Sequence, residues 1–242
     1  MRLRALTAQA KVELLMTLRR GENVVVTLVI PLGVLLFFGK VDKLTNLKDP
    51  VAFLVPGTLA LAVMAAAMVS LGIATGYERR YGVLKRLGTT PLSRGGLLAA
   101  KTATVLVLEV LQAALIIAVG AALGWSVPVG VVPAIGLLLL GTVAFAGVGL
   151  LMAGTLRAEA TLGLANGLFL VLLFLGGMAY PLDRLPGAMQ AVAKALPAGA
   201  LSESLRSVLD TGRHFATGEF LVLAAWAVVA SMAAARYFRW EE

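Results

Sequence analysis

Long apolar runs separated by short polar segments make up most of this chain. A helical membrane span needs about 20 mostly apolar residues, whereas a strand of a membrane barrel needs about 9–11 residues that alternate between polar and apolar. The runs in this chain are long and do not alternate, so they predict membrane-spanning helices. The six predicted spans are residues 22–38, 51–76, 98–123, 131–154, 161–180 and 219–238.

The composition agrees with this pattern. Hydrophobic residues make up 60% of the chain and charged residues 14%, and the mean hydropathy is +0.92. Soluble domains carry about 25% charged and about 45–50% apolar residues. A soluble core of this size could not bury so much apolar surface. We therefore predict an all-α integral membrane protein, with residues 1–242 forming one membrane domain and no folded soluble domain.

Two other segments have a different pattern. In residues 1–21, leucines such as Leu3, Leu6 and Leu14 recur on one helical face, with charged residues opposite them. This arrangement predicts an amphipathic helix at the membrane surface, and the alternative is an ordinary cytoplasmic helix. The stretch 181–218 is too polar to cross and predicts short helices. These helices are either external or re-entrant.

The distribution of Lys and Arg predicts the orientation. With the N-terminus inside, the cytoplasmic segments hold 14 of the 21 basic residues and the outer segments hold 7. Cytoplasmic loops of membrane proteins carry an excess of Lys and Arg, so this count predicts that both termini are cytoplasmic. The same topology accounts for the net charge of +8, and no nucleic-acid partner is predicted.

The chain lacks the residues that common enzymes and ATP sites need. It has no cysteine and a single histidine, His214, with no cluster of metal-binding residues around it. It also has no G-x-x-x-x-G-K-[ST] loop to hold ATP phosphates. We therefore predict no catalytic residue, no metal site and no cofactor bound by this chain. Any energy from ATP must come from a partner chain.

Glu109 and Gln112 are buried polar candidates. They lie one turn apart on the same face of the third span. An ionisable residue in the hydrocarbon region is costly and should face the bundle interior or water. One interpretation is a proton or cation site; the other is a hydrogen bond to Gln112 or to a neighbouring helix. The lack of a second buried acid or base favours the packing role. An ATP-independent channel or proton-coupled transporter that uses Glu109 is the alternative function.

Small and helix-perturbing residues mark further positions within the spans. The G-x-x-x-G pairs predict close helix packing. They are Gly72–Gly76, Gly120–Gly124 and Gly163–Gly167. Pro31 predicts a kink in the first span, and Asn166 in the fifth span either lines a pathway or bonds a neighbouring helix.

The segment 77–96 between the second and third spans combines basic residues with Gly, Thr and Pro. Together with Gly76 it reads GYERRYGVLKRLGTTPLSRGG. Leu84 and Leu87 mark one face of a short helix, and Thr90-Pro91-Leu92-Ser93 turns the chain. A basic topology anchor would need only Lys or Arg. The added pattern predicts a compact cytoplasmic element that meets a soluble partner and transmits motion.

This segment resembles the corresponding segment in the membrane subunits of type-2 ABC exporters. Those proteins commonly carry E-R-x-x-G-x-L-x-x-L-x-x-(T/S)-P-(L/I)-(S/T) between their second and third spans. A second match is the Pro-rich exit from the fifth span, FLGGMAYPLDRLP at 174–186. This chain has Lys85 where the family often has an acidic residue, and Leu196-Pro197 where Asn-Pro is common. The resemblance covers the whole chain in span number, length and order.

The resemblance implies a permease subunit of a bacterial plasma or inner membrane, surrounded by lipid. Two separate ABC ATPase subunits would bind ATP and Mg, and a second permease copy or a related permease would complete the exporter. The cargo implied is hydrophobic or amphiphilic, such as a drug, an antibiotic or a lipid-like molecule, so that efflux could confer multidrug resistance. Pro31 and Asn166 are substrate-pathway candidates. The implied ATPase-coupling residues are Glu78, Arg79, Arg80, Gly82, Leu84, Lys85, Arg86, Leu87, Pro91, Leu92 and Ser93.

Overall fold

All regular secondary structure in the described part of the chain is helical. The computed structural model describes residues 21–40, 49–84, 94–126, 130–210 and 215–239. The predicted surface helix at 1–21 and residues 85–93 of the coupling segment lie almost entirely outside these ranges. The long helices are α1 Gly21–Lys40, α2 Pro50–Arg80, α3 Arg94–Ala122, α4 Val131–Thr155, α5 Ala158–Leu175 and α8 Thr217–Tyr237. Between α5 and α8 lie the 3-10 turn Leu182–Arg184, α6 Gly187–Ala195 and α7 Pro197–Leu209.

Helix α2 forms the centre of the bundle. It begins where the Asp49 carboxylate accepts a hydrogen bond from the Ala52 N–H at 3.0 Å, and Pro50 occupies its first turn. An acidic N-cap and an early proline both favour helix initiation. Every residue from Leu54 to Met68 is buried. Helices α1, α3, α4 and α5 pack around α2, whereas α8 packs against α4 and α7.

The middle of α2 is π-helical, from Met64 to Ser70. Glycine backbones approach closely here, because a Cβ added to Gly149 of α4 would lie 2.6 Å from the Met68 carbonyl oxygen. One turn further along α2, Gly72 faces Gly149 in the same way, and a Cβ at Gly76 would contact Thr161 of α5. The predicted packing role of the Gly72–Gly76 pair is confirmed. The helices that these two glycines contact, α4 and α5, belong to the same chain. Such π-helical turns are often found at functional sites.

The other two glycine pairs behave differently. A Cβ at Gly120 would meet Val55 and Trp125, so Gly120 lies at a close contact. Gly124 has a φ of +94° and lies in the turn that follows α3. The packing interpretation is therefore wrong for Gly124, because a left-handed turn residue serves the backbone and not a helix contact. Gly163 and Gly167 have no described atom within 4 Å of an added Cβ. They lie on an open face of α5.

Among the described residues, five helices are long and apolar enough to cross a membrane, namely α2, α3, α4, α5 and α8. These helices coincide with the second to sixth predicted spans. Helix α1 covers the predicted first span at 22–38, but the apolar helix described there, Leu28–Phe37, is shorter than a crossing. The six-span count and the cytoplasmic placement of both termini stay predictions. Helix α2 also continues to Arg80, four residues beyond the predicted span end at 76.

The predicted polar stretch 181–218 contains α7, which packs into the bundle. Of its residues, Leu201 and Leu205 are fully buried. The Ser202 hydroxyl donates a hydrogen bond at 2.6 Å to the carbonyl of Gly176, just past the end of α5. Leu201 also lies against Gly141 of α4. Helix α7 therefore packs among the transmembrane helices beside the end of α5.

Candidate functional site

The C-terminal end of α2 carries the first three residues of the predicted coupling motif, Glu78, Arg79 and Arg80. Basic side chains in the last turn of a helix are stabilised by its negative end. The helix ends at Arg80, and Gly82, two residues later, has a φ of +71°, the left-handed conformation typical of the glycine that follows a helix C-cap. The Gly82 N–H donates to the Arg79 carbonyl at 3.0 Å. The sequence therefore places these charges at a helix end that is fixed by Gly82.

Arg79 ties this end of α2 to the link between α4 and α5. Its side chain is 4% exposed, and Nη2 donates a hydrogen bond at 2.5 Å to the carbonyl oxygen of Leu156. Leu156 is the residue that caps the C-terminus of α4. Carbonyls at a helix C-terminus have no partner inside the helix, so the guanidinium satisfies one of them. Arg79 thus joins two helix ends that are far apart in sequence.

Glu78 and Arg80 connect the same end of α2 to two further helices. The Lys101 ammonium of α3 lies 2.5 Å from Glu78 Oε2, and the Lys101 side chain is 1% exposed. Arg80 forms an ion pair with Glu159 in the first turn of α5, and both of these side chains are about half exposed. We name the five residues the α2-end cluster; they are Glu78, Arg79, Arg80, Lys101 and Glu159.

The structure therefore places the predicted coupling residues in different environments. Leu84 is fully buried, whereas Tyr81 is 71% exposed and Val83 is 40% exposed. A Cβ at Gly82 would meet no described atom within 4 Å. The remaining predicted coupling residues lie outside the described ranges; they are Lys85, Arg86, Leu87, Pro91, Leu92 and Ser93. Sequence reasoning missed Lys101 and Glu159 as members of the cluster, since each is separated from its partner by many residues.

Glu109 forms a hydrogen bond to a neighbouring helix. The Thr142 hydroxyl of α4 donates to Glu109 Oε2, and the other carboxyl oxygen has no partner among the described residues. Gln112 is also buried, at 3% exposed. The sequence offered two hydrogen-bond partners for Glu109, namely Gln112 or a neighbouring helix. The structure shows a bond to the neighbouring helix α4. Whether the carboxyl has a further role stays a prediction.

The two pathway candidates lie on different helices. Pro31 is buried within α1, and the helix runs through it from Gly21 to Lys40. Asn166 is exposed on α5, where its Nδ2 donates to the Leu162 carbonyl of the same helix at 2.9 Å. Asn166 therefore lies on the open face of α5, and its side chain bonds within its own helix.

A second buried charge at the other end of α2 was not singled out by sequence reasoning. Arg206 of α7 is 2% exposed. Its guanidinium donates to the Gly177 carbonyl, pairs with Glu203 at 2.6 Å and lies 3.7 Å from the centroid of the Phe53 ring. The contacts with Phe53 and Gly177 join α7 to the start of α2 and to the residues just after α5, whereas the pair with Glu203 lies within α7. The sequence did contain a signal for this ion pair, since Arg206 follows Glu203 by three residues in an amphipathic helix.

The fold defines a helical multi-pass membrane protein. Buried charges join its helix ends, in the α2-end cluster and around Arg206. Among the described residues, no group of three or more His, Cys, Asp or Glu side chains is placed to hold a metal. The chain belongs to the ABC-2 type transporter family, whose model matches residues 4–209. The family resemblance recognised in the sequence is confirmed, so this chain is a transporter permease.

A curated relative supports the same class. The chain is 28% identical over 204 residues to the "Putative transport permease YvfS" of Bacillus subtilis (strain 168). The match covers 79% of this chain and 80% of the relative. The two proteins are therefore similar over most of their lengths.

Proposed function

We propose that this chain is the membrane-spanning subunit of an ATP-driven exporter. It works with two separate ABC ATPase subunits, which bind ATP and Mg, and with a second permease copy or a related permease. Membership of the ABC-2 type transporter family supports this proposal, since such permeases generally work with ABC ATPases. The relative's name, a transport permease, agrees with a transport role.

The single observation that carries the proposal is the α2-end cluster. It fastens the end of α2 to α3 through Lys101 and to the α4–α5 region through Leu156 and Glu159. The rest of the coupling segment follows directly after Arg80, from exposed Tyr81 onward. Displacement of that segment by an ATPase would therefore act on four helices at once. In this proposal Glu78, Arg79 and Arg80 transmit motion within the permease.

Direct contact with the ATPase is assigned to the residues beyond the helix end. Tyr81 and Val83 are exposed apolar side chains at the end of a charged helix, a combination that suits a protein interface. We assign the predicted basic, leucine and turn residues of 85–93 to the same contact with the ATPase. Gly82 permits the sharp exit from α2, and buried Leu84 anchors the segment to the bundle.

The open face of α5 supports the proposal that a second permease copy packs against this chain. Phe174 is 72% exposed and Leu164 is 50% exposed, and a Cβ added to Gly163 or Gly167 would meet no described atom within 4 Å. Small residues on an apolar helix allow close approach of another helix. Asn166 on this face supports a pathway lined by α5. The substrate proposed is hydrophobic or amphiphilic and moves out of the cytoplasm of a bacterial cell.

The contact assignment predicts a loss of ATPase association without a loss of folding. We expect Tyr81→Ala combined with Val83→Ala to reduce the ATPase that co-purifies with the tagged chain by about tenfold, because exposed aromatic anchors supply much of an interface's binding energy. The unfolding midpoint should stay within error of the unchanged protein, since both side chains are exposed.

Tyr180→Ala is the matched control. Tyr180 is 45% exposed and lies beyond the end of α5, away from the α2-end cluster. It should leave the yield of ATPase unchanged. Equal ATPase yields from the unchanged protein and the Tyr81→Ala, Val83→Ala variant would overturn the contact assignment.

A further inference from the structure

An apolar cavity lies between α2, α3 and α4. Its volume is about 370 Å³, within the range of small-molecule sites. It is bounded at one end by Trp125, after α3, and by Leu209 at the end of α7. The side chains that form its walls include Leu59, Leu106, Ala113, Ala134 and Leu138.

Among the described residues that line this cavity, Glu109 is the one that is ionisable. Its side chain is 8% exposed, and Thr142 satisfies only Oε2. Oε1 has no hydrogen-bond partner within the described ranges. A buried polar atom without a partner carries a desolvation cost that a bound donor would remove. The cavity therefore offers an acceptor surrounded by apolar walls.

The exposed part of the cavity lining forms an apolar rim. Val110 is 68% exposed, Ile135 is 52% exposed and Leu139 is 45% exposed, and all three line the cavity. Because α3 and α4 have the length and composition of membrane-crossing helices, such a rim faces the hydrocarbon region. A ligand that enters by this route must first dissolve in the membrane. A strongly polar ligand does not dissolve in the hydrocarbon region and therefore cannot reach the cavity by this route.

We propose that this cavity binds a lipophilic amine. The apolar body of the ligand fills the space between α3 and α4, and its protonated nitrogen donates a hydrogen bond to Glu109 Oε1. A charge-assisted hydrogen bond of this kind is stronger than a neutral one. A plain acyl chain would fill the space but leave Oε1 without a donor. The site goes beyond the proposed function, since binding here requires neither an ATPase nor transport.

Quenching of Trp125 fluorescence tests the proposal. The chain has three tryptophans, so Trp226→Phe combined with Trp240→Phe leaves only Trp125. This protein is placed in phosphatidylcholine nanodiscs, whose lipid has no primary amine, and is titrated with ω-bromododecylamine or ω-bromododecanol. We expect saturable quenching by the amine and about tenfold weaker binding of the alcohol. Glu109→Gln should weaken amine binding about tenfold and leave alcohol binding unchanged, because the amide keeps the shape of the side chain but cannot form an ion pair with the ammonium.

Two controls separate binding in the cavity from partitioning into the lipid. Trp125→Phe combined with Trp240→Phe leaves Trp226, whose Nε1 donates to the Ala195 carbonyl and which does not line the cavity. This variant should show only weak quenching that does not saturate. Ala113→Leu adds side-chain volume to the cavity wall, leaves Glu109 in the chain and should remove saturable quenching by both probes.

Three results would overturn the proposal. The first is equal affinity for amine and alcohol in the protein with intact Glu109, which would indicate a cavity for acyl chains alone. The second is unchanged amine binding in Glu109→Gln. The third is no saturable quenching of Trp125, as expected if a second copy or a neighbouring helix fills the space. If Glu109→Gln failed to fold, the proposal would still be tested by comparing the affinities of the amine and the alcohol in the protein that keeps Glu109.

Discussion

Glu78→Lys is expected to destabilise the protein by about 3–5 kcal/mol, the cost of breaking a buried ion pair by changing one partner. Lys101 is 1% exposed, and its ammonium lies 2.5 Å from Glu78 Oε2. The substitution would leave this buried charge facing a second positive charge. Thermal unfolding in detergent and in nanodiscs measures the effect.

The exchanged pair is the decisive control for this prediction. Glu78→Lys combined with Lys101→Glu restores opposite charges and should recover most of the lost stability. The pair Arg80–Glu159 provides a second comparison, since both of its side chains are about half exposed. Removing it by Arg80→Ala should cost less than about 1 kcal/mol. If Glu78→Lys were no more destabilising than Arg80→Ala, the cluster would not fasten α2 to α3.

The same variants connect stability to the proposed coupling. The α2-end cluster would transmit motion only while α2 stays attached to α3 and to the α4–α5 link. The exchanged pair should therefore retain ATPase association as well as folding. An exchanged protein that is stable but has lost association would show that the charges at 78 and 101 meet the ATPase directly.

Arg206→Leu is the second substitution with a large expected effect. The buried guanidinium pairs with Glu203 and donates to the Gly177 carbonyl. Without it, the pairing charge and a buried carbonyl lose their donor, so we expect a loss of about 3–5 kcal/mol. Arg206→Lys should recover only part of this loss, because an ammonium cannot reproduce the planar fork of donors. Unfolding midpoints and the yield of folded protein measure both variants.

Arg184→Leu is the matched control for this prediction. Arg184 is exposed and lies 5.6 Å above the Tyr180 ring. An exposed contact of this kind contributes about 0.5–1 kcal/mol. Equal losses from Arg206→Leu and Arg184→Leu would show that α7 is not anchored by its buried arginine.

The helices were predictable because hydropathy and length decide them locally. The second to sixth predicted spans coincide with described helices, and Gly82 and Asp49 explain where α2 ends and begins. The π-helical turn at Met64–Ser70 was not predictable, because MAAAMVS carries no signal for it. Its contact, Gly149, lies about 80 residues away in sequence, and only the fold brings the two together.

The candidate site was predictable in residue type but not in pairing. The motif identified Glu78, Arg79 and Arg80, yet their partners Lys101, Leu156 and Glu159 come from three other parts of the chain. The spacing of Glu109 and Gln112 predicted a shared face within one helix. The observed acceptor geometry depends on Thr142, which a pattern local to the third span does not contain.

The composition of the native complex tests the central claim most directly. The tagged chain is purified from the membranes of its own host in mild detergent, and the intact complex is weighed by native mass spectrometry. The proposal predicts two ABC ATPase subunits together with two permease subunits, either two copies of this chain or this chain and a related one. A permease that is stable and active in transport while free of any ATPase would contradict it.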